Sequence, residues 1–90
     1  MRRASKKDIN HNEIAAAFEK AGCSVADTSQ LGSNFPDMVV ARRGRTILVE
    51  IKYNRGRPTK GQQKFLEEWR GKSFVIWTID EAINIVNTWL

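Results

Sequence analysis

The chain has 90 residues, of which 41% are hydrophobic, and its 15 Lys and Arg against 10 Asp and Glu give a formal net charge of +5. This length allows one small domain over residues 1–90 and leaves no room for a second one. The positive charge favours a polyanionic partner, such as nucleic acid.

The N-terminal segment and the cysteine content indicate a compartment. Residues 1–7 carry four cationic side chains with no apolar run behind them, so they are predicted to be a loose basic arm rather than a signal peptide or a membrane span. Cys23 is the single cysteine, and Cys/His clusters of zinc spacing are absent. A reducing cytoplasm is therefore expected, with Cys23 as a small core residue.

A first helix is predicted from Asp8 or Asn10 to Ala21, before Gly22. Its apolar positions at helical spacing are Ile14, Ala17, Phe18 and Ala21. Asn10 and Glu13 have the spacing of a capping box. Two interpretations of Glu13 are open. It is either a first-turn acid that satisfies the helix N-terminus or a carboxylate at the edge of the buried stripe that reaches a metal site.

A short strand over residues 23–28 and then a β-hairpin are predicted next. Residues 34–40 and 47–52 are rich in Val and Ile, and residues 42–45 between them form a polar turn. Both faces of the hairpin carry apolar side chains, which indicates that helices cover the sheet on both sides.

The register of this hairpin decides which charged groups meet. A loop of even length, either Arg43-Gly44 alone or residues 42–45, places Asp37 opposite Glu50, with Lys52 on the same face as Glu50. A three-residue loop with Gly44 in a bulge would separate the two acids. Opposed carboxylates repel unless a cation lies between them. The even register therefore predicts a divalent metal with oxygen ligands.

The rest of the chain completes an α/β pattern. After a basic loop, Thr59 and Gln62 have capping-box spacing at the beginning of a helix that ends at Gly71. Residues 73–79 form an apolar strand, and Asp80 is the expected N-cap of a last helix. The fold class is α/β, a mixed central β-sheet flanked by helices in the order α-β-β-β-α-β-α. The apolar C-terminal end suits a subunit contact or simple closure of the core.

Pro36-Asp37 on one strand and Glu50-Ile51-Lys52 on the next resemble the core of the PD-(D/E)xK (restriction-endonuclease-like) nucleases. The continuation, residues 57–66, is similar to the small VRR-NUC branch of that superfamily. The resemblance spans roughly residues 12–77. The order of helix, Pro-Asp strand, Glu-x-Lys strand, basic loop and Gln-bearing helix is more specific than the two short motifs alone.

This resemblance implies a metal-dependent DNA endonuclease. Mg²⁺ or Mn²⁺ would be held by Asp37 and Glu50, with the backbone carbonyl of Ile51. The family often supplies a further carboxylate from the first helix, and Glu13 is the position that fits. Lys52 would pair with the scissile phosphate and the attacking hydroxide, an electrostatic and positioning role.

The second helix and the basic loop supply the remaining candidates. Gln62, which matches the family's helix glutamine better than Gln63, either caps the helix or orients a phosphate or the attacking water. Tyr53 either stacks on an unpaired base or fills a core edge, and His11 is predicted to be solvent-exposed without a functional role. The cations expected to contact the sugar-phosphate backbone are Arg55, Arg57, Lys60 and Lys64.

The resemblance also implies a substrate class. Compact stand-alone VRR-NUC proteins are usually associated with phages, form homodimers and act on branched DNA such as Holliday junctions, which places them in the host cytoplasm. Three alternatives remain: an archaeal-resolvase-like or restriction-type nuclease of other DNA specificity, a non-catalytic basic nucleic-acid-binding module, and a purely structural or protein-interaction domain.

Overall fold

The computed structural model describes residues 8–90, and the predicted basic arm of residues 1–7 lies outside them. Over the described residues the order of elements is α-β-β-β-α-β-α, as predicted. The helices are α1 (His11–Lys20), α2 (Lys60–Glu68) and α3 (Ile79–Thr88). The strands are β1 (Ser24–Asp27), β2 (Met38–Arg42), β3 (Arg45–Ile51) and β4 (Ser73–Ile76). Within residues 8–90, no helix combines the length and apolarity needed to cross a bilayer.

The four strands form one sheet in the order β1-β2-β3-β4. The first three strands pair antiparallel, and β4 pairs parallel to β3. A parallel neighbour requires a crossover connection, and the chain makes it through α2. The predicted class, a mixed sheet flanked by helices, is confirmed.

One face of the sheet carries the hydrophobic core. The helices α1 and α3 pack on each other, and alternate residues of the two central strands are buried with them. The fully buried members are Ile14, Phe18, Met38, Val40, Val49, Ile51 and Ala82. At the C-terminus Leu90 is 6% exposed and closes this core, whereas Trp89 remains 40% exposed. Of the two roles expected for the C-terminal end, closure of the core is therefore the one that Leu90 performs.

The hairpin between β2 and β3 has a two-residue turn. Arg43 and Gly44 have φ values of 56° and 79°, the left-handed conformation that tight hairpin turns need at both central positions. The paired residues run from Arg42 with Arg45 to Met38 with Val49. Continuing this register by one residue places Asp37 opposite Glu50, so the even register is correct.

The helix α2 stands apart from the core. None of its residues is buried. Phe65 and Trp69 stack on each other at 5.6 Å, and Phe35, just before β2, meets Phe65 edge to face at 5.4 Å. This aromatic cluster attaches α2 to the segment that delivers Asp37.

Two predicted helix caps differ from the structure. The N-cap of α3 is Thr78, which forms a capping box with Glu81, and not Asp80, which lies inside the helix. β4 correspondingly ends at Ile76, because the backbone N–H of Trp77 donates to Glu81 Oε1 at 2.7 Å. Asn10 makes no side-chain cap at α1, so the expected box with Glu13 does not form.

Candidate active site

The hairpin brings two acids and a lysine together at its open end. The Ile51 N–H donates to Asp37 Oδ2 at 2.7 Å, and Lys52 Nζ lies 3.3 Å from Glu50 Oε2. The carboxyl groups of Asp37 and Glu50 are close enough to share a hydrogen bond. Glu50 is only 3% exposed. The spatial convergence expected from the even register is therefore present.

The positive charge near the two acids does not balance their burial and mutual repulsion. The pKa of Glu50 is raised to about 7, mainly by burial and then by the Asp37 carboxylate, and Lys52 only partly opposes this. Burial also raises the pKa of Asp37, against the Ile51 N–H bond and the nearby His11. A divalent cation between the two carboxylates would offset both effects.

The donor set fits a hard cation. Carboxylate oxygens are the ligands that Mg²⁺ and Mn²⁺ prefer, and Mg²⁺ is commonly held by one or two carboxylates plus water and substrate phosphate. Between residues 8 and 90 there is no group of three or more His, Cys, Asp or Glu side chains placed to hold a metal. Asp37 and Glu50 would therefore hold the ion, with the carbonyl of Ile51 as the further protein ligand that the sequence predicts.

Glu13 is not brought to this pair. It is exposed on α1 and lines a groove with Ile79 and Ile83 of α3. Successive residues of a helix are 100° apart, so Glu13 points about 200° away from His11, which occupies the buried face. The expectation that the first helix contributes a third carboxylate from position 13 is not met by this arrangement.

The prediction from sequence that His11 is solvent-exposed is wrong. It is 2% exposed, because it shares a helix face with Ile14 and Phe18, three and seven positions later. Its Nε2 lies 3.7 Å from Asp27 Oδ2, and neither ring nitrogen has a hydrogen-bond partner among the described residues. The spacing of positions 11, 14 and 18 was the available signal.

Asn10 braces the site from the same end of α1. Its side-chain amide donates to the carbonyl of Lys52 at 3.1 Å and to that of Trp77 at 2.8 Å. These carbonyls follow the ends of β3 and β4, so Asn10 fixes the two strand ends against α1. The backbone of Lys52 is thereby held in place beside the acids.

Gln62 has a defined structural role. Its Oε1 accepts from the Thr59 N–H at 2.9 Å, and its own N–H donates to Thr59 Oγ1 at 3.2 Å, completing the predicted capping box. Gln63 is exposed. The capping interpretation of Gln62 thus has direct structural support, while a role toward a phosphate stays a prediction.

A pair of substitutions separates these two roles of Gln62. Thr59→Ala and Gln62→Ala should each lower the free energy of unfolding by about 1 kcal/mol, since both break the same cap. If Gln62 also orients substrate, its removal alone should reduce kcat, by at least tenfold relative to Thr59→Ala. Urea denaturation and single-turnover cleavage of both variants measure this. Equal cleavage rates in the two variants would leave capping as the only role.

The predicted DNA-binding cations differ in how they are held. Arg55, Lys60 and Lys64 are exposed and have no carboxylate partner among residues 8–90. Arg57 instead lies 5.2 Å above the Trp77 ring. Tyr53 is 50% exposed, so its ring is accessible for stacking rather than filling a core edge.

Comparison with known proteins agrees with this geometry. No protein-family model and no curated protein matches the sequence. A solved structure described as a VRR_NUC domain superimposes with a TM-score of 0.76 at 25% sequence identity, over 97% of this chain and 100% of that chain. The resemblance to the VRR-NUC branch that the motifs indicated is confirmed by this match.

Proposed function

Because the chain has the fold of a VRR_NUC domain, we propose that it is a metal-dependent DNA endonuclease that hydrolyses phosphodiester bonds. The observation that carries this proposal is the buried convergence of Asp37 and Glu50 with Lys52 beside them. A pair of acids that repel each other lowers the stability of the hairpin. A catalytic cation held between the two carboxylates would offset this repulsion.

The chain's own residues would divide the chemistry between them. A bound Mg²⁺ or Mn²⁺ supplies a Lewis acid that lowers the pKa of a water molecule and neutralises phosphate charge. Asp37 and Glu50 fix its place, and the Ile51 N–H orients the Asp37 carboxylate. Lys52, only partly exposed, offers its ammonium to the phosphate and the developing negative charge.

The DNA would be held by the loop and helix that follow this site. Arg55, Lys60 and Lys64 project from the segment after Lys52 and have no carboxylate to neutralise them within the described residues. Such cations give affinity that falls with salt and carries no base discrimination. Tyr53 would add stacking on an unpaired base.

The direct test is cleavage of supercoiled plasmid and of labelled oligonucleotides by the purified protein. Nicking should require Mg²⁺ or Mn²⁺, cease with EDTA and return when metal is restored. Cutting that persists in EDTA would refute the metal dependence. DNA binding that weakens with salt but is never followed by cutting would instead support the non-catalytic binding module.

A second part of the proposal is that the substrate is branched DNA and that the protein acts as a homodimer. This part rests on the family resemblance. Two copies related by a two-fold axis would place two active sites on a substrate with the same symmetry, such as a four-way junction. Cleavage of a four-way junction should exceed that of a linear duplex with the same arms. Sedimentation should give twice the 10.3 kDa of one chain. A monomer, or equal cleavage of both substrates, would contradict this part alone.

A further inference from the structure

The end of the sheet farthest from the acids gathers cations. Arg42, Arg43 and Arg45 surround the hairpin turn. Lys72 precedes β4 and lies at this same turn end, because β4 runs parallel to β3 and the carbonyl of Lys72 accepts from the Leu48 N–H. None of these four cations forms an ion pair with a carboxylate within residues 8–90.

Two of these arginines oppose each other directly. Arg42 and Arg45 are cross-strand partners, and like charges in that position destabilise a hairpin. The other end of the same hairpin carries two opposed acids. A cation would offset the repulsion there, and an anion would offset the repulsion at the turn end.

The arginines line a depression of about 420 Å³ against the C-terminal part of α3. We name this depression, with Arg42, Arg43 and Arg45, the arginine pocket. The rest of its wall comes from the end of α3 and the residues after it: Val86, Asn87, Thr88, Trp89 and Leu90. The Thr88 hydroxyl already donates to the Asn84 carbonyl at 2.8 Å, so the Asn87 side-chain amide is the neutral donor beside the guanidinium groups.

The pocket is partly preorganised. Arg45 Nη1 donates to the carbonyl of Trp89 at 3.0 Å, and Lys72 Nζ lies 4.3 Å above the Trp89 ring. A cation at the C-terminal end of a helix is stabilised by the helix dipole, which accounts for Arg45 by itself. Arg42 and Arg43 gain nothing from that contact, so their charges remain available.

We propose that the arginine pocket binds the phosphate backbone of the nucleic acid at a second point, away from the phosphate that is cut. Guanidinium groups are well suited to phosphate because they donate in a planar fork. The inference deepens the proposed nuclease function and rests on it. It adds a contact site outside the loop and helix already assigned to DNA.

The distance and the direction define which part of the substrate is held. Five residues of β3 separate Arg45 from Glu50, roughly 17 Å at the rise of a strand, or about five base pairs of B-DNA. Alternate residues of a strand project from the same face. Arg45 therefore shares the helix-covered face with Ile47 and Val49, whereas Glu50 projects from the other face. A nucleic acid that contacts both sites would therefore pass the turn end rather than lie on one face of the sheet.

Arg43→Asn tests this with little risk to the fold. Asparagine tolerates a positive φ, and Asn-Gly is a preferred sequence for a two-residue hairpin turn. Affinity is measured by anisotropy in EDTA over a salt series, for a fluorescent hairpin-capped duplex of about 4 base pairs, too short at about 14 Å to reach both sites, and for a duplex of about 30 base pairs. On the long duplex, each lost phosphate contact should lower the slope of log K against log salt by about 0.9. Arg42→Gln with Arg43→Asn should lose about twice as much.

Lys20→Gln is the matched control, because it removes one positive charge from an exposed position outside the arginine pocket. It should leave the slope unchanged, and the short duplex should be much less sensitive than the long one to all variants. Phosphate ethylation interference should show two separated clusters of contacts, of which Arg43→Asn loses only the distal one.

The outcomes distinguish the two proposals. If the unaltered protein cleaves DNA but Arg43→Asn behaves like Lys20→Gln, the arginine pocket is overturned and the nuclease stands. Equal weakening on both duplex lengths would show only a general effect of net charge, and would also overturn it. An unaltered protein that binds DNA with two contact clusters but never cuts would sink the nuclease proposal and leave the pocket in place.

Discussion

Replacing Glu50 with glutamine should abolish metal-dependent cleavage while making the metal-free protein more stable. Glutamine keeps the shape of the side chain but supplies no negative charge to the cation, and we expect a rate loss of more than about 1,000-fold. The same change removes the repulsion between Glu50 and Asp37. The free energy of unfolding in EDTA near pH 8 should rise by about 1 to 3 kcal/mol.

Initial cleavage rates and urea denaturation measure the two effects of Glu50→Gln. The control is Glu67→Gln, the same chemical change at an exposed position of α2, which should alter neither quantity. DNA affinity should be unchanged or slightly higher in Glu50→Gln, since a negative charge is lost. A variant that still cuts within tenfold of the normal rate would remove Glu50 from the metal site.

The stability of the metal-free protein should fall as the pH rises from about 4.5 to about 7. The pKa of Glu50 is raised from 4.5 to about 7 in the folded chain. Across this window the unfolded chain releases the Glu50 proton while the folded chain retains it, so higher pH favours unfolding. The loss should be of order 3 kcal/mol and complete above the folded pKa. The raised pKa of Asp37 acts in the same direction.

Metal should reverse this loss. The ion binds the deprotonated pair in the folded chain, so saturating Mn²⁺ should raise the denaturation midpoint strongly at about pH 8 and little at about pH 5. The difference between the unaltered protein and Glu50→Gln isolates the contribution of the pair. A metal effect of the same size at both pH values would contradict control by Glu50 ionisation.

The sequence predicted the fold closely because its signals were local. Apolar spacing identified every helix and strand, and the cap formed by Thr59 and Gln62 was found as a short motif. The hairpin register was left open between even and odd loops, since Arg43-Gly44 lacks the asparagine that usually announces a two-residue turn. Only the paired backbone decides it.

The parts of the site that sequence did not give depend on distant partners. Asn10 donates to carbonyls 42 and 67 residues away, so no local pattern distinguishes this brace from a helix cap. The helical spacing of His11 with Ile14 and Phe18 indicates its burial, but its contact with Asp27 of β1 depends on tertiary packing. Thr78 and Asp80 are both good cap residues, and the hydrogen bonds of Glu81 select Thr78.

The independence of α2 from the core has a consequence for how the protein can change. A substitution lowers stability in proportion to the buried apolar area that it removes. No residue of α2 is fully buried. Its length, charge and lysine positions can be redesigned while the strands that hold the acids stay folded. The substrate contacts proposed for α2 would thus be open to change at little cost to the strands that hold the acids, in a chain of only 90 residues.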